Sequence, residues 1–219
     1  MLAELQRQLN DIYQVDRACD VRDYLITDPA LAKFIGQDAM LSNTHETLLL
    51  SEDNDGLALS LFLDGEMLER LESARPLDCL RTELLDDLWK VLEGISHFNC
   101  LVWKATQNRT VSLLELELQG EIDKYVSTML IALGQTDNAL VRGLHGWLFD
   151  NVSFHGDLDG EQLQRYRSAN SYAARFCHGL QPQLIDDDRL ALAELRQFDR
   201  LQLPEKISHI HTLAWSRPC

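Results

Sequence analysis

Between residues 81 and 133 the chain repeats apolar side chains at three- and four-residue intervals in two successive stretches, a pattern that only packed helices satisfy. Leu84, Leu88, Val91, Leu92, Ile95, Phe98 and Val102 form the broad apolar face of a helix spanning about 82–107. After a break near Asn108, Leu114, Leu118, Ile122, Tyr125, Val126 and Met129 form the matching stripe of a second helix, about 111–133. So short a connection predicts antiparallel neighbours, and these two helices are expected at the structural centre. Gly94 lowers helix propensity in the first of them, a cost that a closely packed neighbour would offset.

Upstream the period changes. Two strand-like runs, 46–52 and 57–63, flank Asp53-Asn54-Asp55-Gly56, and Asp55-Gly56 suits a hairpin turn because glycine readily takes positive φ. A lone two-stranded ribbon is marginally stable, so this one must pack on helices or recruit a further strand, for instance from a partner. Residues 2–14 and 17–26 have helical spacing, and Asp28-Pro29 predicts the start of a short helix reaching Phe34.

Downstream, residues 134–160 are glycine-rich and less regular, with a short helix at 138–150. Leu163, Tyr166, Tyr172, Ala173 and Phe176 mark a further helix from 161, with its exit at Gly179 and Pro182. Another is expected at 186–198, and Pro204 opens a tail that can pack Ile207, Ile210, Leu213 and Trp215. The fold expected is α+β, a mainly helical domain of five to seven helices with a central antiparallel helix pair and a small β-hairpin. Residues 1–219 are expected to form one domain, with 44–65 as a hairpin appendage.

Thirty-five acidic against 20 basic residues give a formal charge of −15, a field that repels the nucleic-acid backbone. The basic stretch from Arg196 to Arg217 is interleaved with Asp199, Glu205 and packing residues, and reads as ordinary surface. Nucleic acid is therefore not an expected partner. Five cysteines without a CxxC pair predict reduced thiols and a cytoplasmic setting. Nothing in the chain approaches the roughly 18 apolar residues of a membrane span, and the amphipathic start does not resemble a signal peptide, so no membrane partner is expected.

The polar residues within the helical tract are the candidates for chemistry, because an ionised carboxylate among leucines needs water, hydrogen bonds or a cation. Glu93 and His97 stand at i and i+4 on one helix, so both can reach the same site. Glu117 and Glu121 share a face of the next helix, and His178 follows further on; together these five residues are the metal-ligand candidates, for a divalent cation. The di-iron bundle pattern of paired Glu-x-x-His motifs is absent, since the chain has Glu93-x-x-x-His97. Surface or structural ion pairs explain the same residues without a metal. His145 and His155 are expected in glycine-containing connections.

Arg109, at the turn between the two long helices, can approach carboxylates at either helix end. Tyr166, Asn170 and Arg175 can build a hydrogen-bond network, structural or ligand-binding; with Arg109 they are the ligand-binding candidates. Cys100 and Cys177 occur in apolar helical contexts and read as inert buried thiols. No HExxH, phosphate-binding loop, GxSxG elbow or EF-hand is present. Two functions follow as expectations: an acidic cytoplasmic interaction or accessory protein, with a protein partner or a homo-oligomer, or a metal-dependent hydrolase using Glu93, His97 and Glu121.

Overall fold

The computed structural model describes residues 1–15, 19–36, 44–53, 56–153, 156 and 158–215, with 51–53 and 57 in backbone only. The protein is mainly helical with a small three-stranded sheet, an α+β architecture. Its contacts divide into two compact units: Met1–Arg7 with Arg17–Thr110, and Gln8–Asp16 with Val111–Cys219. Helix α1 (Leu2–Tyr13) contributes its first residues to one unit and its last to the other.

In the first unit, β1 (Leu25–Ile26) is followed by α2 (Pro29–Gly36), β2 (Glu46–Asp53), β3 (Gly56–Leu63), α3 (Gly65–Ala74) and α4 (Leu85–Thr106). The Asp28 carboxylate accepts the Ala30 N–H at 2.7 Å and so starts α2 where Asp28-Pro29 predicts. The hairpin of β2 and β3 runs in unbroken antiparallel register from Glu46 opposite Leu63 to Asp53 opposite Gly56. The expected Asn54-Asp55 turn residues lie outside the described residues.

Directly opposed residues of an antiparallel pair share a face, and faces alternate along a strand. Leu61 touches α4 at Gly94, so Leu48, Glu46 and Leu63 also look toward α4. Phe62 and Leu49 look the other way and are buried against Ala32 of α2, with Ile26 beside them. With both faces covered, Leu61, Phe62 and Leu63 are all buried, which is why this strand reads as a nearly continuous apolar run.

The helix expected over 17–26 is replaced, in its described part, by a single 3-10 turn, Val21–Tyr24, and by β1. Asp20 caps the turn by accepting the Arg22 N–H at 2.9 Å, and Leu25 and Ile26 pair in parallel with Leu61 and Phe62. Two strand residues are too few to impose a period of two on the sequence. The apolar spacing that imitates a helix there comes from side chains committed to a turn and a sheet.

The second unit holds α5 (Leu113–Gly134), α6 (Asn138–Phe149), α7 (Gly160–Asp186), α8 (Asp188–Asp199) and α9 (Leu203–Thr212). The two long helices expected at the centre organise one unit each: α4 packs on the sheet and α3, and α5 packs on α7 and α6. Helix α5 is buried on almost every side from Glu115 to Ala132, including Glu115, Glu117, Gln119, Asp123 and Lys124. Nine α-helices are present among the described residues, more than expected, because α3 and α9 are formed from segments that read as a hairpin flank and a tail.

Helix α7 continues through Gly179 and Pro182 instead of ending there. Pro182 is exposed while Leu180 and Leu184 on either side of it are buried. Burying two leucines is worth about 3–6 kcal/mol, enough to offset the roughly 3 kcal/mol that proline costs inside a helix.

Candidate functional site

Among the described residues, three potential ligands converge in the first unit, where the start of β2 meets the middle of α4. Glu93 and His97 stand one turn apart on α4, and Glu46 comes to them from the α4-facing side of β2. Between Glu93 and His97 sits Gly94. A Cβ at that position would lie 3.0 Å from Glu46 Cγ, 3.2 Å from Glu46 Oε1 and 2.9 Å from Leu61 Cδ1. The missing side chain lets the Glu46 carboxylate lie against the helix, so the glycine that weakens α4 as a helix creates room for the cluster.

One ligand atom from each of Glu46, Glu93 and His97 falls within 4.8 Å of the other two. Glu46 Oε1 is 4.0 Å from His97 Nδ1, and the two side chains are only 15% and 12% exposed. Two carboxylates this close repel, and a bound cation would relieve that repulsion. Metal bonds of about 2.1 Å place adjacent donors about 3 Å apart, so inward movement of each donor by about 1 Å would close the three around an ion. Two oxygens and one imidazole nitrogen suit zinc, manganese or iron better than calcium, which takes six to eight oxygens.

Around this cluster α4 is held by neutral and charged contacts. Gln6 donates to Asn99 Oδ1 at 3.1 Å and accepts the Val21 N–H at 3.0 Å, tying α1 to α4. Arg70 of α3 pairs with Asp87 at 3.0 Å, and Lys90 pairs with Asp86 one turn away at 2.6 Å. Cys100 is buried. Arg109, just after α4, donates its backbone N–H to the Lys104 carbonyl at 2.9 Å.

The other metal candidates belong to the second unit, where protein cations and rings accompany them. Glu117 pairs with Arg165 at 3.6 Å, and Glu121 with Lys124 at 2.9 Å. Glu115, a further carboxylate of the leucine-rich second helix, forms a deeply buried pair with Lys206 at 3.3 Å, the side chains 5% and 2% exposed. Asp123 accepts from the Tyr13 hydroxyl and from Gln119 Nε2, the latter at 2.9 Å, and Gln119 also donates to the Tyr13 oxygen at 2.7 Å. Burial and the Asp123 charge together hold the Tyr13 phenol far above its ordinary pKa, so it stays a donor. The same kind of environment, burial first and then Glu121 and Asp123, pushes the Cys177 thiol up, leaving it unreactive.

His178 packs edge-on against Trp215, ring centroids 5.2 Å apart, and lies 5.7 Å from the His145 ring. His145 is inside α6 and buried, not in a connecting loop. Its Nε2 is 2.9 Å from the Ala174 carbonyl, which can only accept, so this nitrogen carries the proton. Burial lowers the His145 pKa, partly countered by that hydrogen bond. His155 lies outside the described residues.

Tyr166, Asn170 and Arg175 serve separate contacts along α7. The Tyr166 ring lies under the Arg165 guanidinium, 5.3 Å from its centroid. Asn170 donates to the Phe149 carbonyl at 3.1 Å. Arg175 caps the end of α9 by donating to the His211 carbonyl at 2.8 Å and to the Leu213 carbonyl.

The residue that sequence reasoning missed is Glu46. Its local signal is only a carboxylate opening an apolar strand; its proximity to α4 depends on the hairpin packing on that helix. Comparison with protein-family models, with curated proteins and with solved structures yields no match, so the residues themselves carry the functional reading.

Proposed function

We propose that this chain binds a divalent transition-metal cation through Glu46, Glu93 and His97. The observation that carries the reading is the placement of Gly94, which admits a carboxylate from β2 to the helical turn that already presents Glu93 and His97. Three protein ligands leave coordination positions for water, an arrangement that suits hydrolysis through a metal-bound water better than a closed structural centre. Glu46 takes the place that sequence reasoning gave to Glu121.

The test is metal content by elemental mass spectrometry, followed by titration with zinc and manganese. Binding near one ion per chain is expected, weakened at least tenfold in Glu46→Gln and His97→Ala and unchanged in Glu121→Gln. A folded Glu46→Gln protein with undiminished affinity would reject the site.

A second reading, an acidic interaction or accessory protein, is favoured by the exposed stripe of α2, where Leu31, Phe34 and Ile35 are 47%, 81% and 41% exposed. Substituting Phe34→Asp is expected to leave the fold intact and to abolish partner binding. The four described cysteines are free thiols, which suits a reducing compartment such as the cytoplasm. No described helix is long and apolar enough to cross a membrane.

A further inference from the structure

Among the described residues the sheet has the order β1-β3-β2, with β2 an edge strand of eight residues. Edges of this length are commonly protected by proline, a bulge or a charge within the strand. Here the segment 47–51 reads Thr-Leu-Leu-Leu-Ser, with neither proline nor charge, and the register with β3 has no bulge. The edge is therefore a template for main-chain pairing with another strand.

Apolar side chains stand on both sides of that edge. Leu50 is 52% exposed on the α4-facing side. On the other side is α2, whose Ala32 is fully buried against Leu49 and Phe62 while Leu31, Phe34 and Ile35 face solvent. Helix α2 packs against both β1 and β2, the two outer strands. Helix α2 seats Ala32 on Leu49 of β2 and Phe62 of β3, so its exposed Leu31, Phe34 and Ile35 belong to the helix that covers the sheet face opposite α4. A strand added about 4.8 Å beyond β2 would meet these residues on one face and Leu50 on the other.

Charge selects the occupant. The chain carries a formal charge of −15, with 35 acidic against 20 basic residues, so its field attracts a cationic segment. A second copy would bring the same net negative charge to this edge, a repulsive arrangement. We propose that the outer edge of β2 captures an extended basic peptide segment with alternating apolar residues, by strand addition. This rests on the interaction reading.

The probe is a blocked nine-residue peptide of alternating lysine and valine, measured by fluorescence anisotropy and by amide hydrogen exchange of the full chain. The expected result is saturable binding that weakens with salt, slows exchange at 47–51, and is lost with a glutamate–valine peptide. N-methyl groups on three consecutive central residues, which block both peptide edges, are expected to weaken binding at least tenfold. Equal binding of the N-methylated peptide, lost in Phe34→Asp, would overturn strand addition while preserving an interaction surface on α2. No binding of any peptide to folded protein would overturn both. Dimerisation of the chain alone with protection at 47–51 would replace the peptide with a second copy and overturn the proposal.

Discussion

Replacing Gly94 with alanine sets two opposing effects against each other at the candidate metal site. Helix propensity favours alanine by about 1 kcal/mol in a helix interior. Against that, the new Cβ would stand 2.9 Å from Leu61 Cδ1 and 3.0 Å from Glu46 Cγ, inside ordinary contact distance, and overpacking of this kind costs about 1–3 kcal/mol. Leu61 is fully buried and paired between two strands, so it yields poorly. Glu46, at the start of its strand and partly exposed, is the neighbour that can move. Gly94→Ala is therefore expected to be between neutral and about 2 kcal/mol less stable. It should also bind zinc at least tenfold more weakly, because relief of the overlap moves the Glu46 carboxylate off α4. Hydrogen exchange of the α4 amides reads the stability and competition with a chromogenic chelator reads the affinity. Gly134→Ala is the control, since a Cβ there meets nothing within 4 Å. A Gly94→Ala protein about 1 kcal/mol more stable than the parent, with unchanged zinc affinity, would refute the reasoning.

Lys206→Met would leave the buried Glu115 carboxylate without its lysine and is expected to destabilise the second unit by about 3 kcal/mol, with most of the loss recovered in a Lys206→Met, Glu115→Leu double variant; urea unfolding of both variants checks this. His145 has a folded pKa below its ordinary value of 6.5, so the unfolded chain binds the proton more readily, and the resulting stability is present above 6.5 and is lost as pH falls through the folded pKa. His145→Gln, which keeps a donor for the Ala174 carbonyl, is expected to flatten the decline in urea midpoint between about pH 7 and pH 5. Pro182→Ala restores a backbone donor within α7 at an exposed position and is expected to stabilise the second unit by about 1–3 kcal/mol, read from its thermal midpoint.

Long periodic helices and the hairpin were legible in the chain because their signals are local. Leu88, Val91, Leu92, Ile95 and Phe98 repeat at the spacing that buries one face of α4, and every one of them is buried. Leu118, Ile122, Tyr125, Val126 and Met129 do the same for α5. Capping chemistry located the start of α2 through Asp28, whose carboxylate accepts the Ala30 N–H. Local rules failed where burial overruled propensity, as at Pro182, and where a two-residue strand left no period to read, as at Leu25 and Ile26.

The amino-acid sequence by itself determined which residues could do chemistry and which pairs share a helix face: Glu93 with His97, and Glu117 with Glu121. Tertiary structure decided what each pair meets. It brought Glu46, some 47 positions from Glu93 along the chain, to the first pair through the space left by Gly94. It gave Arg165 to Glu117, and it seated the Lys124 ammonium on Glu121. Helical spacing records only neighbours within about one turn, whereas the charge that makes a buried carboxylate tolerable comes from whichever element packs across from it, and that choice is made by the whole core.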